Sequence, residues 1–204
     1  MKRASHILTS LALSVALAAC AGGHRAQTAP TDTRAQTTAK ARELASQGES
    51  AAKGGNLDKA IDLYRMSVAT NPDFGAAWNN LGLLLWKRAK DTDIVQAGQA
   101  FNQAATLLHD DPTPFRNLGL LYQYRGFGEQ SLEHFVNALR IDPYDLESLR
   151  GATWAGKVLH KSDPAALERL QRAQMIENDP KWRDIITRER IRVENDIREA
   201  TERT

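Results

Sequence analysis

Apolar and polar positions repeat in blocks along the middle of the chain. KAIDLYRMSVATNPD (59–73), QAGQAFNQAATLLHD (96–110) and QSLEHFVNALRIDPY (130–144) align with offsets of 37 and 34 residues. AAWNNLGLLLW (76–86) and TPFRNLGLLYQ (113–123) form a second set, again 37 apart. Within each block small Ala and large Phe or Tyr recur at four-residue spacing, which is helical and places a hole beside a knob on one face. The underlying period is 34, with three extra residues once, inside KRAKDTDIV (87–95). Two helices per period are expected, with the extra residues in the turn joining one such pair. Asn71-Pro72-Asp73 and Asp142-Pro143 break one helix and start the next, and Ser162-Asp163-Pro164 reads as a helix start with Pro in the first turn. Alternation of the kind a strand needs is not found over any useful length.

These residues resemble the tetratricopeptide repeat. In that family a bulky residue, Leu-Gly and Tyr mark the first helix, Ala, an aromatic and Ala mark the second, and Pro closes the unit. One copy supplies Phe115, Leu118, Gly119, Tyr122, Ser131 in place of Ala, Phe135, Ala138 and Pro143. The copy before it supplies Trp78, Leu81, Gly82, Leu85 in place of Tyr, Ala97, Phe101 and Ala104. The first keeps Gly48, Ala60, Tyr64 and Pro72, and a degenerate fourth keeps Leu149, Ala152, Ala166, Leu170 and Ala173. The resemblance implies an all-α protein. Its repeat domain, 41–178, would be a right-handed α-solenoid of helix-turn-helix units. A single hairpin cannot bury its apolar face, so the units must stack.

The start of the chain has another pattern. Lys2 and Arg3 precede an apolar run from Ile7 to Ala19, shorter than the about 20 residues that span a bilayer. Basic residues, a short apolar run and small residues make a secretory signal, here 1–19. Leu17-Ala18-Ala19-Cys20 resembles the bacterial lipobox, in which the cysteine is lipidated and the chain is cut before it. Cys20 is the only cysteine, so no disulfide forms within the chain. Residues 21–40 contain no large apolar side chain and are expected, with Cys20, to be a flexible tether. Ala21 after the cysteine resembles an outer-membrane address of enteric-type bacteria.

Past Asn178-Asp179-Pro180 the chain turns highly charged, with thirteen charged residues in 181–204. Trp182, Ile186, Val193 and Ile197 fall near one helical face. Residues 179–204 are therefore expected to form a capping helix with a polar outer side. The alternative is a partner-binding or coiled-coil helix.

Charge and candidate chemistry narrow the function. Removing Lys2 and Arg3 with the signal lowers the net charge from +2 to zero, which gives no argument for nucleic-acid binding. His109, His134 and His160 make no H-E-x-x-H pair, and no P-loop or G-x-S-x-G is present. Asp91-Thr92-Asp93 reads as a solvated inter-helix loop. No cofactor, metal or catalytic residue is expected. The family resemblance implies instead a protein-binding groove lined by the first helix of each unit. The positions that would face it are Asn79, Asn80, Leu83, Trp86 and Lys87, then Arg116, Asn117, Leu120, Gln123 and Tyr124. Asn80 and Asn117 are equivalent and could bond an extended peptide, since an amide both donates and accepts.

Lipobox plus repeats resembles the layout of pilotin-type lipoproteins of type IV and Tad pilus assembly, and of adaptors that recruit peptidoglycan enzymes. The resemblance implies a scaffold on the periplasmic side of a bacterial membrane, holding another envelope protein or peptide segment. An envelope enzyme is the rival class. Cys20→Ala should release the protein from membranes without unfolding it, read by membrane fractionation in high salt and by circular dichroism of the released fraction.

Overall fold

Five helix starts carry a local cause in the side chain before them. Side chains of Asn56, Asp111, Asp145, Asp163 and Asp179 each accept a backbone N–H in the first turn of the helix that follows. Pro112, Pro164 and Pro180 occupy first-turn sites, where a missing N–H costs nothing. The computed structural model describes residues 33–90 and 92–203. Its helices are α1 (Thr33–Lys53), α2 (Leu57–Thr70), α3 (Gly75–Arg88), α4 (Asp93–Leu107), α5 (Pro112–Tyr124), α6 (Gly128–Ile141), α7 (Leu146–Val158), α8 (Pro164–Ile176) and α9 (Pro180–Glu202). The described residues contain no strand. Helices α1/α2, α3/α4, α5/α6 and α7/α8 pair as hairpins, and successive hairpins stack into an α-solenoid.

The stacking unit is a glycine against an aromatic ring. A Cβ on Gly48 would lie 2.9 Å from the Tyr64 ring, one on Gly82 2.6 Å from Phe101, and one on Gly119 2.7 Å from Phe135. Those distances are too short for any side chain, so the two helices of each of the first three hairpins meet because glycine leaves the space. Phe135 is used twice, since a Cβ on Gly151 of the next hairpin would come within 2.2 Å of the same ring. Small residues one turn before each ring, Ala60, Ala97 and Ser131, are fully buried. Ser131 keeps its hydroxyl satisfied by donating to the Gly119 carbonyl at 2.9 Å.

All four hairpin turns contain a residue in the left-handed region. Gly55 and Gly126 serve in the first and third, Ala89 and His160 in the second and fourth. The second turn also holds the three-residue insertion, and here the expectation of a solvated loop is corrected. Asp93 is 2% exposed. It accepts a bidentate pair from Arg88, both bonds 2.7 Å, and the Lys90 backbone N–H at 3.0 Å. Arg88 also reaches Asp58 at 2.7 Å, fastening the turn to the preceding hairpin. A buried carboxylate is tolerated only when its charge and lone pairs are matched. The sequence has an acid at that place because the arginine is there to meet it.

Two boundaries differ from expectation or refine it. α1 begins at Thr33, so the expected tether gives up its last eight residues to helix. TRAQTTAK contains no Gly or Pro, and once Ala41, Leu44 and Gly48 are docked, adding exposed residues of fair helix propensity needs no new nucleus. α9 packs on α8 and α7 with Ile186 and Val193 buried and Trp182 and Ile197 half-buried. It is fixed by two polar sites. Arg150 on α7 makes a bidentate pair with the fully buried Glu177 at 2.6 and 2.7 Å and stands over the Trp182 ring. Arg192 on α9 donates to the Lys161 carbonyl and the Ser162 hydroxyl of the α7–α8 turn.

Two outcomes follow from these contacts. Gly119→Leu should cost about 3 kcal/mol by overpacking, read as a fall in melting temperature of about 6–12 °C; adding Phe135→Leu should recover part of it. The Arg88 guanidinium holds the Asp93 carboxyl down to about 2. A depressed carboxyl stabilises the fold above its unfolded value, about 4, and that stability is lost as pH falls toward 2. Thermal melts of wild type and Asp93→Asn should therefore differ most near neutral pH and converge by about pH 2.

Candidate functional site

Helices α3, α5 and α7 are the first helices of three successive hairpins, and the residues expected to line a groove on them divide into two groups. The amides turn inward. Asn117 is 6% exposed and donates from Nδ2 to Oδ1 of Asn79, itself buried, at 2.8 Å. This bond ties α5 to α3 across the repeat boundary. Asn80 is half-buried and donates to the Tyr64 hydroxyl at 3.2 Å. Asn117 is thus not placed as an equivalent of Asn80 toward a peptide: it is buried and bonded to Asn79, whereas Asn80 stays half-buried and donates one bond to the neighbouring hairpin. Physically, an amide buried at a helix crossing must find a partner, and the nearest one is on the adjoining helix. Arg116 is likewise committed, donating to Asp145 at 2.6 Å and pairing with Glu147 at 3.4 Å.

The apolar members stay outward. Leu83 is 39% exposed and Tyr124 is 68% exposed, Leu120 is half-buried, and Lys87 is exposed. Trp86 stands edge-on between Phe101, at 6.5 Å, and Tyr124, at 6.2 Å. The structure therefore brings Trp86 and Tyr124 together across two hairpins. Gln123 is half-buried beside them, and its Oε1 finds no donor among the described residues.

Two residues missed from sequence extend this surface onto α7. Trp154 is 41% and Val158 57% exposed. They lie 34 residues beyond Leu120 and Tyr124, one period on. Counting the period through the degenerate fourth copy finds them; matching its consensus residues does not. Trp154 carries Lys157 against its ring at 5.8 Å.

Among the described residues no group of three or more His, Cys, Asp or Glu could hold a metal ion. His109 is exposed beside Asp110. His134 stacks on Tyr122 at 5.1 Å, where burial lowers its pKa. Cys20 lies outside the described residues. No helix among them is long and apolar enough to cross a membrane.

The fold has solved counterparts. The first tetratricopeptide domain of Spaghetti (RPAP3), bound to the HSP90 peptide SRMEEVD, superposes with a TM-score of 0.56 at 18% identity, over 61% of this chain and 96% of that one. MamA gives 0.56 at 14% identity over 83% and 87%, and the Arabidopsis OM64 tetratricopeptide domain 0.55 at 16% over 60% and 98%. The architecture is thus that of tetratricopeptide domains. In sequence, the chain is 31% identical over 121 residues to the peroxisomal targeting signal receptor of Eremothecium gossypii, and 33% over 86 residues to the general transcriptional corepressor ssn6 of Schizosaccharomyces pombe. These matches take in 58% and 41% of this chain but only 19% and 8% of those proteins. No family model matches.

Because Asn117 is a core group, Asn117→Ala should cost about 1–3 kcal/mol by leaving the Asn79 amide without its donor. A lowered denaturation midpoint, with a much smaller change for the exposed Lys87→Ala, checks this.

Proposed function

We propose that this chain is a lipid-anchored scaffold of the bacterial envelope that holds an extended segment of another envelope protein in its inner groove. The observation that carries the binding reading is the row of exposed apolar side chains on successive inner helices: Leu83, Tyr124, Trp154 and Val158. Monomeric surfaces rarely leave contiguous apolar side chains open unless something covers them. The Spaghetti (RPAP3) domain, similar in fold, holds a peptide. Helix-paired units give such a surface rigidity, so a ligand meets a formed groove and loses less affinity to ordering.

The anchor and the address rest on Leu17-Ala18-Ala19-Cys20 and Ala21. One acyl chain binds a membrane only marginally while two or more bind it stably, so a lipidated Cys20 would keep the solenoid at the membrane surface, on the periplasmic side of the outer membrane. Within that setting the pilotin-like layout favours a role in pilus or secretin assembly over the recruitment of peptidoglycan enzymes.

Cross-linking in native membranes, followed by identification of the linked protein, tests the reading. Leu83→Asp with Tyr124→Asp should abolish a stoichiometric cross-link while the melting temperature stays near wild type. Ile191→Asp, on the exposed side of α9, should leave it intact; the reverse pattern would move the binding face to the terminal helix.

A further inference from the structure

The groove has one deep point. Between the α5–α6 turn, the start of α6 and α7 lies a cavity of ≈ 230 Å³ lined by Gln123, Gly126, Gly128, Ser131, Trp154, Ala155 and Val158. Its walls are mostly apolar, and its mouth is open at Gly126, where no atom lies within 4 Å of the place a Cβ would take. Two polar side chains sit in the wall: Ser131, whose hydroxyl is taken up by the Gly119 carbonyl, and Gln123, whose buried Oε1 has no donor from the described residues. An acceptor held without a partner in an apolar wall suits a ligand that brings an N–H together with an apolar body.

Flanking its lining residues in sequence are Arg125, Glu129 and Lys157, of which Glu129 is paired with Lys161 at 3.4 Å. Helices α3, α5 and α7 carry five cations, Lys87, Arg88, Arg116, Arg150 and Lys157, against one acid, Glu147. Three of the cations are held by carboxylates: Arg88 by Asp93, Arg116 by Asp145 and Arg150 by Glu177. Lys87 and Lys157 are exposed at the C-terminal ends of α3 and α7, and neither forms an ion pair with any described residue. Lys157 stands beside Trp154, at the edge of the cavity. The local field therefore favours an anionic partner, and the cavity favours one large side chain of it.

We propose that this cavity is the anchor subsite of the groove, and that it takes a single Trp or Phe from a partner segment with acidic residues beside that anchor. The proposal rests on the reading of the inner face as the binding surface. The aromatic side chain would fill the space against Trp154 and Val158, the Gln123 amide, on turning toward the cavity, would accept an N–H from the segment, and Lys157 would meet a neighbouring carboxylate. A buried aromatic in a preformed pocket is the usual centre of an interface, with the surrounding charges setting selectivity and rate of encounter.

The experiment is selection of a random-peptide display library, both peptide ends blocked, on the full-length chain in detergent. Enriched peptides are then synthesised and titrated by fluorescence anisotropy. Enrichment of an aromatic residue next to Asp or Glu is expected, and Ala in place of that aromatic should weaken binding about tenfold or more. Trp154→Ala and Val158→Arg, both at exposed positions, should each weaken it about tenfold with helicity unchanged. Lys157→Glu should shift selection away from acids. No enrichment, or enriched peptides lacking an aromatic, overturns the proposal. So does binding of the peptides within about twofold of wild type by both pocket variants. If Leu83→Asp with Tyr124→Asp abolishes that binding while the pocket variants do not, the groove stands and the anchor fails. If neither set matters, both fail.

Discussion

Everything in this molecule depends on how closely two helices can approach at a glycine. At Gly48, Gly82 and Gly119 the ring of Tyr64, Phe101 or Phe135 lies where a side chain would have to be. Because the ring enters the partner helix's backbone envelope, each hairpin has one register. A slip of one residue would bring the next side chain, larger than a hydrogen atom, against the ring. Interiors are close-packed and deform little, so the register of each hairpin fixes where its inner helix stands. The positions of Leu83, Leu120 and Trp154 relative to one another follow from that.

The polar contacts do a different task. Arg88–Asp93, Arg116–Asp145 and Arg150–Glu177 each join a helix to a turn or to the start of a later helix. Such pairs add little net stability, since desolvation offsets attraction, but breaking one strands a charge. They act as locks on geometry that apolar packing has already chosen. The Asn117–Asn79 bond belongs to the same set.

Legibility in the sequence followed the physics of each feature. The repeats were readable because Gly, Ala, aromatic and Pro each meet a steric demand that few other residues satisfy, and the demand recurs every 34 residues. Asp93 was not, because an acid in a short polar loop looks solvated until Arg88, five residues away, is seen to fold back on it. Asn117 was misread because equivalence along the sequence does not say which way an amide turns when a second amide, Asn79, stands across the helix crossing. Trp154 and Val158 escaped because the fourth unit lost the consensus residues that would have drawn attention to it, while keeping the spacing that places its side chains.

Phe135 touches both Gly119 and Gly151, so its ring belongs to two hairpins at once. Tyr64, at the other end of the array, meets the following hairpin through the Asn80 amide instead. In a linear array, cooperativity is set boundary by boundary. The last two hairpins share that ring and are sealed further by α9, while the first is joined to the second by a common apolar core and by the Arg88–Asp58 pair. The stretch that carries Trp154 is therefore held from both sides, by the Phe135 ring on one and by α9 on the other, and cannot loosen without loosening its neighbours.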